Sequence, residues 1–156
     1  MQQFAFPYEL SLKSQLPQSI QELLQAAEQA ARKAYAPYSK FRVAAAIQLT
    51  DGRVLTAANQ ENAAFPAGIC AERAALSMHH LEGPEKVTVI AIAYEPADAS
   101  QHAPLAPCGI CRQSILEVQL HQGTAITIYM SAPDGEVMMV EDASYLLPFH
   151  FSGKYL

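Results

Sequence analysis

Three cysteines, Cys70, Cys108 and Cys111, are the only ones in this chain of 156 residues, and they stand where two helical patterns begin. Cys70 to about Leu81 is alanine-rich and reads as a helix stopped by Gly83-Pro84. Cys108 to about Leu120 reads as another, through Ile115, Leu116 and Val118. An odd number of cysteines behind an amino terminus without a secretory signal argues against a disulfide framework. Metal binding or catalysis is then the leading account of the cluster. The plain alternative, buried apolar thiols, must explain why the only three fall at these places.

The rest of the chain supplies a frame for those helices. Residues 1–15 have no clear period and are expected to form an extended arm. Pro17 opens a helix in which Ile20, Leu23, Leu24, Ala27, Ala30, Ala31 and Ala34 recur at three and four, until Ala36-Pro37-Tyr38-Ser39 ends it. Phe41 to Leu49, a turn at Asp51-Gly52, and Arg53 to Ala58 read as a hairpin. Residues 59–69, with Pro66 and Gly68, form a loop. Val87 to Tyr94 is apolar and β-branched, as a central strand is, and 95–107 is a long loop. Thr124 to Met130 and Glu136 to Val140 read as strands joined by Pro133-Asp134-Gly135, before a short helix over Ala143 to Leu147. Alternating strands and helices after an initial hairpin predict an α/β fold, a mixed sheet with helices on its faces, in a single domain spanning 1–156.

Composition narrows the function. No run approaches the ~18 apolar residues of a membrane span, and Met1-Gln2-Gln3-Phe4 has neither the basic start nor the apolar run of a signal peptide. A cytoplasmic location and no membrane partner are expected. The net charge is −5, with 10 lysines and arginines scattered along the chain. No basic stripe for phosphates is visible, so a small substrate is expected and a nucleic acid is not.

Zinc takes thiolates tetrahedrally, and catalytic sites keep three protein ligands with the fourth position open to water. Cys108 and Cys111 share nearly one helix face. Alone they could equally be a redox pair; Cys70 completes the three-ligand count. Glu72 is the candidate proton carrier, under a geometric condition. Two residues inside a helix rotate a side chain by roughly 200°, so Glu72 can face a metal held by Cys70 only if Cys70 sits at the helix start. There the helix end also lowers the thiol's pKa. Three thiolates leave the site negatively charged and the ion a poor Lewis acid. Arg73 and Arg112 are the nearby cations that could donate hydrogen bonds to sulfur and draw charge away.

Cys70-Ala71-Glu72 followed by Pro107-Cys108-Gly109-Ile110-Cys111 meets the signature of the zinc deaminases in its three-cysteine form, with a glutamate that is not a ligand. With Ala36-Pro37-Tyr38-Ser39-Lys40-Phe41, Asn59-Gln60-Glu61-Asn62-Ala63, Gly68-Ile69 and Leu146-Leu147-Pro148, the chain resembles the small homotetrameric cytidine deaminases from about Ala34 to Phe151. The resemblance implies a three-layer α/β/α fold with a five-stranded mixed sheet, one zinc per subunit and active sites completed across subunits. It further implies that Asn59 and Glu61 bond the ribose 3′-hydroxyl and that Phe41 packs on the pyrimidine. The Ala71 N–H would bind the ring carbonyl, the Ala106 carbonyl would receive the leaving amino group, and Phe151 would cover a base held by a neighbouring subunit. The expected reaction is hydrolytic deamination of cytidine and 2′-deoxycytidine. Departures are Ala44 and Ala57, where the family usually has Gly, and Phe65, where Tyr is common.

Three rivals remain at this point. A sister deaminase could act on another cytosine nucleoside, such as a blasticidin-type antibiotic, although Asn59 and Glu61 suit a ribosyl substrate. Polynucleotide editing is opposed by Glu61, which would repel a 3′-phosphate. A structural zinc module needs a fourth protein ligand; the histidines at 79, 80, 102, 121 and 150 qualify by type, but none has a matching short spacing.

Overall fold

The computed structural model describes residues 1–79, 84–98 and 100–156. Its strands are β1 (Glu9–Leu12), β2 (Arg42–Leu49), β3 (Val54–Ala58), β4 (Val87–Glu95), β5 (Thr127–Ser131) and β6 (Glu136–Val140). The helices are α1 (Gln18–Ala31), α2 (Ala71–His79) and α3 (Gly109–Gln122). They form one six-stranded sheet in the order β1-β6-β5-β4-β2-β3. Only β4 and β5 run parallel among these pairs, and α3 between them is the crossover that a parallel pair needs.

The central strands are buried on both faces, and their two faces differ in size. Ala45, Ile47 and Leu49 of β2 and Ile90 and Ile92 of β4 pack with Ala75, Leu76, Ile115 and Val118 of α2 and α3. Ala46, Ala91 and Ala93 point the other way and meet Ile20, Leu23, Leu24 and Ala27 of α1. The period-2 alternation therefore puts the isoleucines of β2 and β4 on the two-helix side and only alanines among their buried residues on the one-helix side. The short alanines let α1 lie close on the sheet. Ala44 belongs to this side too, fully buried against Ala30 and Ala31, so its methyl group is accommodated within the packing.

Several element boundaries differ from the sequence reading. The expected arm contains β1, which pairs antiparallel with β6 from Glu9↔Met139 to Leu12↔Glu136; the sheet therefore has six strands where five were expected. α1 stops at Ala31 because the Ala34 N–H turns back to the Ala31 carbonyl and Tyr35 N–H bonds the Asn59 carbonyl at 3.1 Å. α3 runs on to Gln122 and closes at Gly123, whose φ of 69° is the left-handed cap that glycine favours. The expected end of α2 near Leu81 and its stop at Gly83 lie outside the described residues.

Candidate metal centre and adjoining cleft

Both cysteine helices begin in the way that aims sulfur at one point. Cys70 stands immediately before α2, and its carbonyl accepts the Ala74 N–H at 3.0 Å. Cys108 is the cap of α3, with φ −68° and ψ 169°, and its carbonyl accepts the Arg112 N–H at 2.9 Å. The chain is steered into α2 by a two-way bridge in which Gln60 and Ile69 exchange N–H···O bonds of 3.0 Å. Gly68 lies within that approach: a side chain there would place Cβ 3.2 Å from the Phe65 carbonyl oxygen.

α2 and α3 lie side by side on one face of the sheet, which brings the three sulfurs together. Cys70 and Cys108 Sγ are 3.9 Å apart, and Cys108 and Cys111 Sγ 3.6 Å. A tetrahedral ion with bonds of about 2.3 Å separates its sulfurs by about 3.8 Å, so the spacing fits zinc. Among the described residues the group of possible ligands here counts three, Cys70, Cys108 and Cys111, and leaves one coordination position open. As thiols the cysteines are electrostatically unequal. The hydrogen bond from Cys111 pulls Cys70 down to about 6, and that same bond, with burial, pushes Cys111 up.

Glu72 lies on the first turn of α2 and is only 4 % exposed. Because Cys70 is a cap and not an interior residue, Glu72 lies on the side of α2 where its carboxyl and the Cys70 and Cys111 sulfurs act on one another. Burial raises its carboxyl above the usual range, partly offset by its own amide, the Cys111 thiol and the Arg73 charge. Arg73 is half-buried, and its charge acts on both Cys70 and Glu72. Arg112 sits differently. Its Nε donates to the Pro107 carbonyl at 2.8 Å and its Nη1 to the Leu146 carbonyl at 3.0 Å, so these two donors brace the loop entering α3 and not the sulfurs.

A cleft of about 540 Å³ opens beside Cys70. Asn59 and Glu61 line it, together with Tyr38, Ser39, Asn62 and Phe65, which the sequence reading did not assign to the site. Tyr38 and Ser39 were visible in the Ala36-Pro37-Tyr38-Ser39 segment, but nothing local marks them as facing a cleft. Glu61 accepts the Tyr38 N–H at 2.8 Å, the Ser39 N–H at 3.3 Å and the Ser39 hydroxyl. The Ser39 hydroxyl, then the Tyr38 amide, hold its carboxyl below the usual range. Asn59 bridges backbone: Oδ1 accepts the Val43 N–H at 2.9 Å, and Nδ2 donates to the Phe41 carbonyl at 3.1 Å.

The remaining expected contacts are dispersed. Phe41 lies outside this cleft, its ring 5.2 Å from that of Tyr94 in a neighbouring hollow. Ala71 is the first residue of α2, a position whose N–H has no intrahelical acceptor. Ala106 is exposed, just ahead of Cys108. Phe151 is 58 % exposed and stacks on Tyr155 of its own chain. His80 lies outside the described residues.

Three thiols at two helix caps, a buried carboxyl beside them and a polar cleft at their side define a class: an α/β metalloenzyme whose metal keeps an open position. The model of the cytidine and deoxycytidylate deaminase zinc-binding region matches residues 17–127, and the chain belongs to this family. A cytidine deaminase of Halalkalibacterium halodurans is 37% identical over 134 residues, 86% of this chain and 95% of that one. One from Mycobacterium tuberculosis is 39% identical over 102 residues, 65% of this chain and 71% of its own. Among solved structures, the cytidine deaminase of Burkholderia pseudomallei superposes with a TM-score of 0.74 at 37% identity, covering 84% of this chain and 98% of its own. The family's zinc-binding region and the Cys70, Cys108 and Cys111 cluster make zinc the metal of this site. No helix among the described residues is long and apolar enough to cross a membrane.

Proposed function

We propose that the protein hydrolyses cytidine and 2′-deoxycytidine to uridine and 2′-deoxyuridine with release of ammonia, a reaction of pyrimidine salvage in the cytoplasm. One observation carries this reading: a buried glutamate, Glu72, faces a three-thiolate centre that leaves a coordination position open. The zinc held by Cys70, Cys108 and Cys111 would supply a water acidified to near neutral pH.

Every other step belongs to the chain. Glu72 takes a proton from the attacking water and delivers it to ring N3 while the oxygen adds to C4. It then carries the second proton to the amino group, the C4–N4 bond breaks, and ammonia leaves. The Ala71 N–H, at the free start of α2, holds the ring carbonyl, and the Ala106 carbonyl accepts from the departing amine. Glu61 and Asn59 bond the sugar 3′-hydroxyl; the anionic form of Glu61, sustained by Ser39 and Tyr38, suits an acceptor for that hydroxyl. Phe41 packs at the base end, its backbone tied to Asn59 and Ser39. Arg73 offsets the sulfur charge, and Arg112 instead fixes the approach to Cys108.

The active unit is a homotetramer in which Phe151 of one copy covers the base bound by another. Its support is the apolar surface near the site: Phe65, Ile110 and Phe151 are all more than half exposed on the isolated chain. Zinc content measured alongside ammonia release from a panel of cytosine nucleosides tests the function. Stoichiometric zinc with release from cytidine and deoxycytidine is expected. Release from a blasticidin-type compound alone would move the assignment to that substrate, and zinc without release from any would return the structural-module reading.

A further inference from the structure

The amino-terminal arm reaches beyond the sheet edge it extends. After β1 the Lys13 N–H continues the pairing to the Gly135 carbonyl at 2.8 Å, so the arm is anchored at its downstream end. Upstream, Phe6 stacks on Tyr145 with ring centroids 5.7 Å apart and planes 24° apart. Phe4 lies 5.9 Å from Phe6 and 6.5 Å from Phe149. Tyr145 and Phe149 bracket the Leu146-Leu147-Pro148 stretch that leads into Phe151. Phe149 itself is 97 % exposed, so the arm's hold on this segment falls to the Phe6–Tyr145 stack, with Phe4 packed on Phe6.

The same segment is held from its other side by the metal helix. Arg112 of α3 bonds the Leu146 carbonyl, and Gln113 Nε2 donates to the Phe151 carbonyl at 3.0 Å. The segment is therefore tied to α3, which carries Cys111, at Leu146 and Phe151, and to the arm at Tyr145.

We infer that Phe4 and Phe6 are positioning residues for the deamination: they fix the 145–149 segment and so set where Phe151 presents its ring. The inference rests on the proposed role of Phe151 as the cover of a base. An exposed ring near a chain terminus must be ordered before it can cover a ligand, and ordering it in advance strengthens binding. Loss of the arm rings should then weaken substrate binding while the chemistry at Glu72 proceeds as before.

The test compares Phe4→Ala/Phe6→Ala, Phe151→Ala and all three changes together in the full chain, with cytidine as substrate. The arm variant should raise KM ~2- to 10-fold, the scale of lost aromatic contacts, with kcat, zinc content and solution mass unchanged. Phe151→Ala should raise KM at least as far, and the combined variant no further than Phe151→Ala alone. Phe6→Tyr keeps a ring on Tyr145 and should keep the parental KM. A parental KM in the arm variant, with Phe151→Ala still impaired, overturns the inference and leaves the reading of Phe151 standing. A parental KM in Phe151→Ala overturns both. Losses that add in the combined variant also overturn the inference, because the arm would then act by another route. If the arm variant precipitates, Tyr145→Leu removes the stacking partner from the other side, with the same expected outcomes.

Discussion

Glu72 and Glu61 are two carboxyls near one cleft whose surroundings push them in opposite directions. Burial raises Glu72, while the Ser39 hydroxyl and Tyr38 amide lower Glu61. Such a split separates a group that carries protons from one that stays an anion and accepts hydrogen bonds. Glu72→Gln preserves shape and removes the carried proton, so turnover should fall ~10²–10⁴-fold. Zinc content should hold, since the sulfur triad is untouched; a variant that keeps the parental rate with full zinc would remove Glu72 from the mechanism. At this scale much of the site was legible in the sequence. Glu72 stands two residues from Cys70 and Cys111 three from Cys108, and the demand that Cys70 cap its helix followed from the rotation per residue alone. Arg112 was not legible in the same way. Its partners, the carbonyls of Pro107 and Leu146, include one far along the chain, and no local pattern distinguishes a guanidinium aimed at sulfur from one aimed at backbone.

Between elements, the junction of α3, β5 and the turn after β6 depends on one buried amide. Gln119, 8 % exposed, accepts the Ile126 N–H at 2.9 Å and the Ala143 N–H at 3.1 Å through Oε1, and its Nε2 donates to Asp142 Oδ1 at 2.6 Å. Gln119→Leu strands two backbone donors, and a buried donor left unpaired costs ~1–3 kcal/mol. With two donors stranded, about 2–6 kcal/mol in all, thermal unfolding should show Tm lower by roughly 4–24 °C, given about 2–4 °C per kcal/mol at this chain length; an unchanged Tm would mean that water replaces the amide. Burial pushes the Asp142 carboxyl up, but the bonds from Gln119 and Ser144 outweigh it and leave it below its ordinary 3.8. A carboxyl lowered in the folded state stabilises above its unfolded pKa and loses that contribution as pH falls through the folded value. Tm should therefore drop as pH falls below 3.8, and Asp142→Asn should show a shallower drop over the same range; equal slopes would sink the assignment. This network explains why β5 begins at Thr127 and not at Thr124: Ile126 gives its N–H to Gln119. The β-branched run was readable, the side-chain acceptor that delays the strand was not. β1 escaped for a related reason, since Glu9–Leu12 is four residues long and draws its order from β6, more than a hundred positions away.

For the whole molecule, the metal's place relative to the core decides what its removal does. The sulfurs tie the starts of α2 and α3 at one end of the two-helix layer, while the apolar cores lie along the sheet on both faces. Ile90, Ile92, Ile115 and Leu116 are all fully buried without touching the cluster's role. Small zinc modules have no such core, so their binding energy is their folding energy and chelation unfolds them. Here the sheet and its helices are held by apolar burial, and zinc adds the stabilisation that any ligand of the native state adds. Chelation should thus abolish activity and lower Tm while the far-ultraviolet circular dichroism at 25 °C stays that of an α/β protein. Returning zinc should restore both activity and Tm. A chelated chain that loses its helical and sheet signal at 25 °C would show that the thiolate tie between α2 and α3 holds the fold, and the core packing described above would then be insufficient by itself.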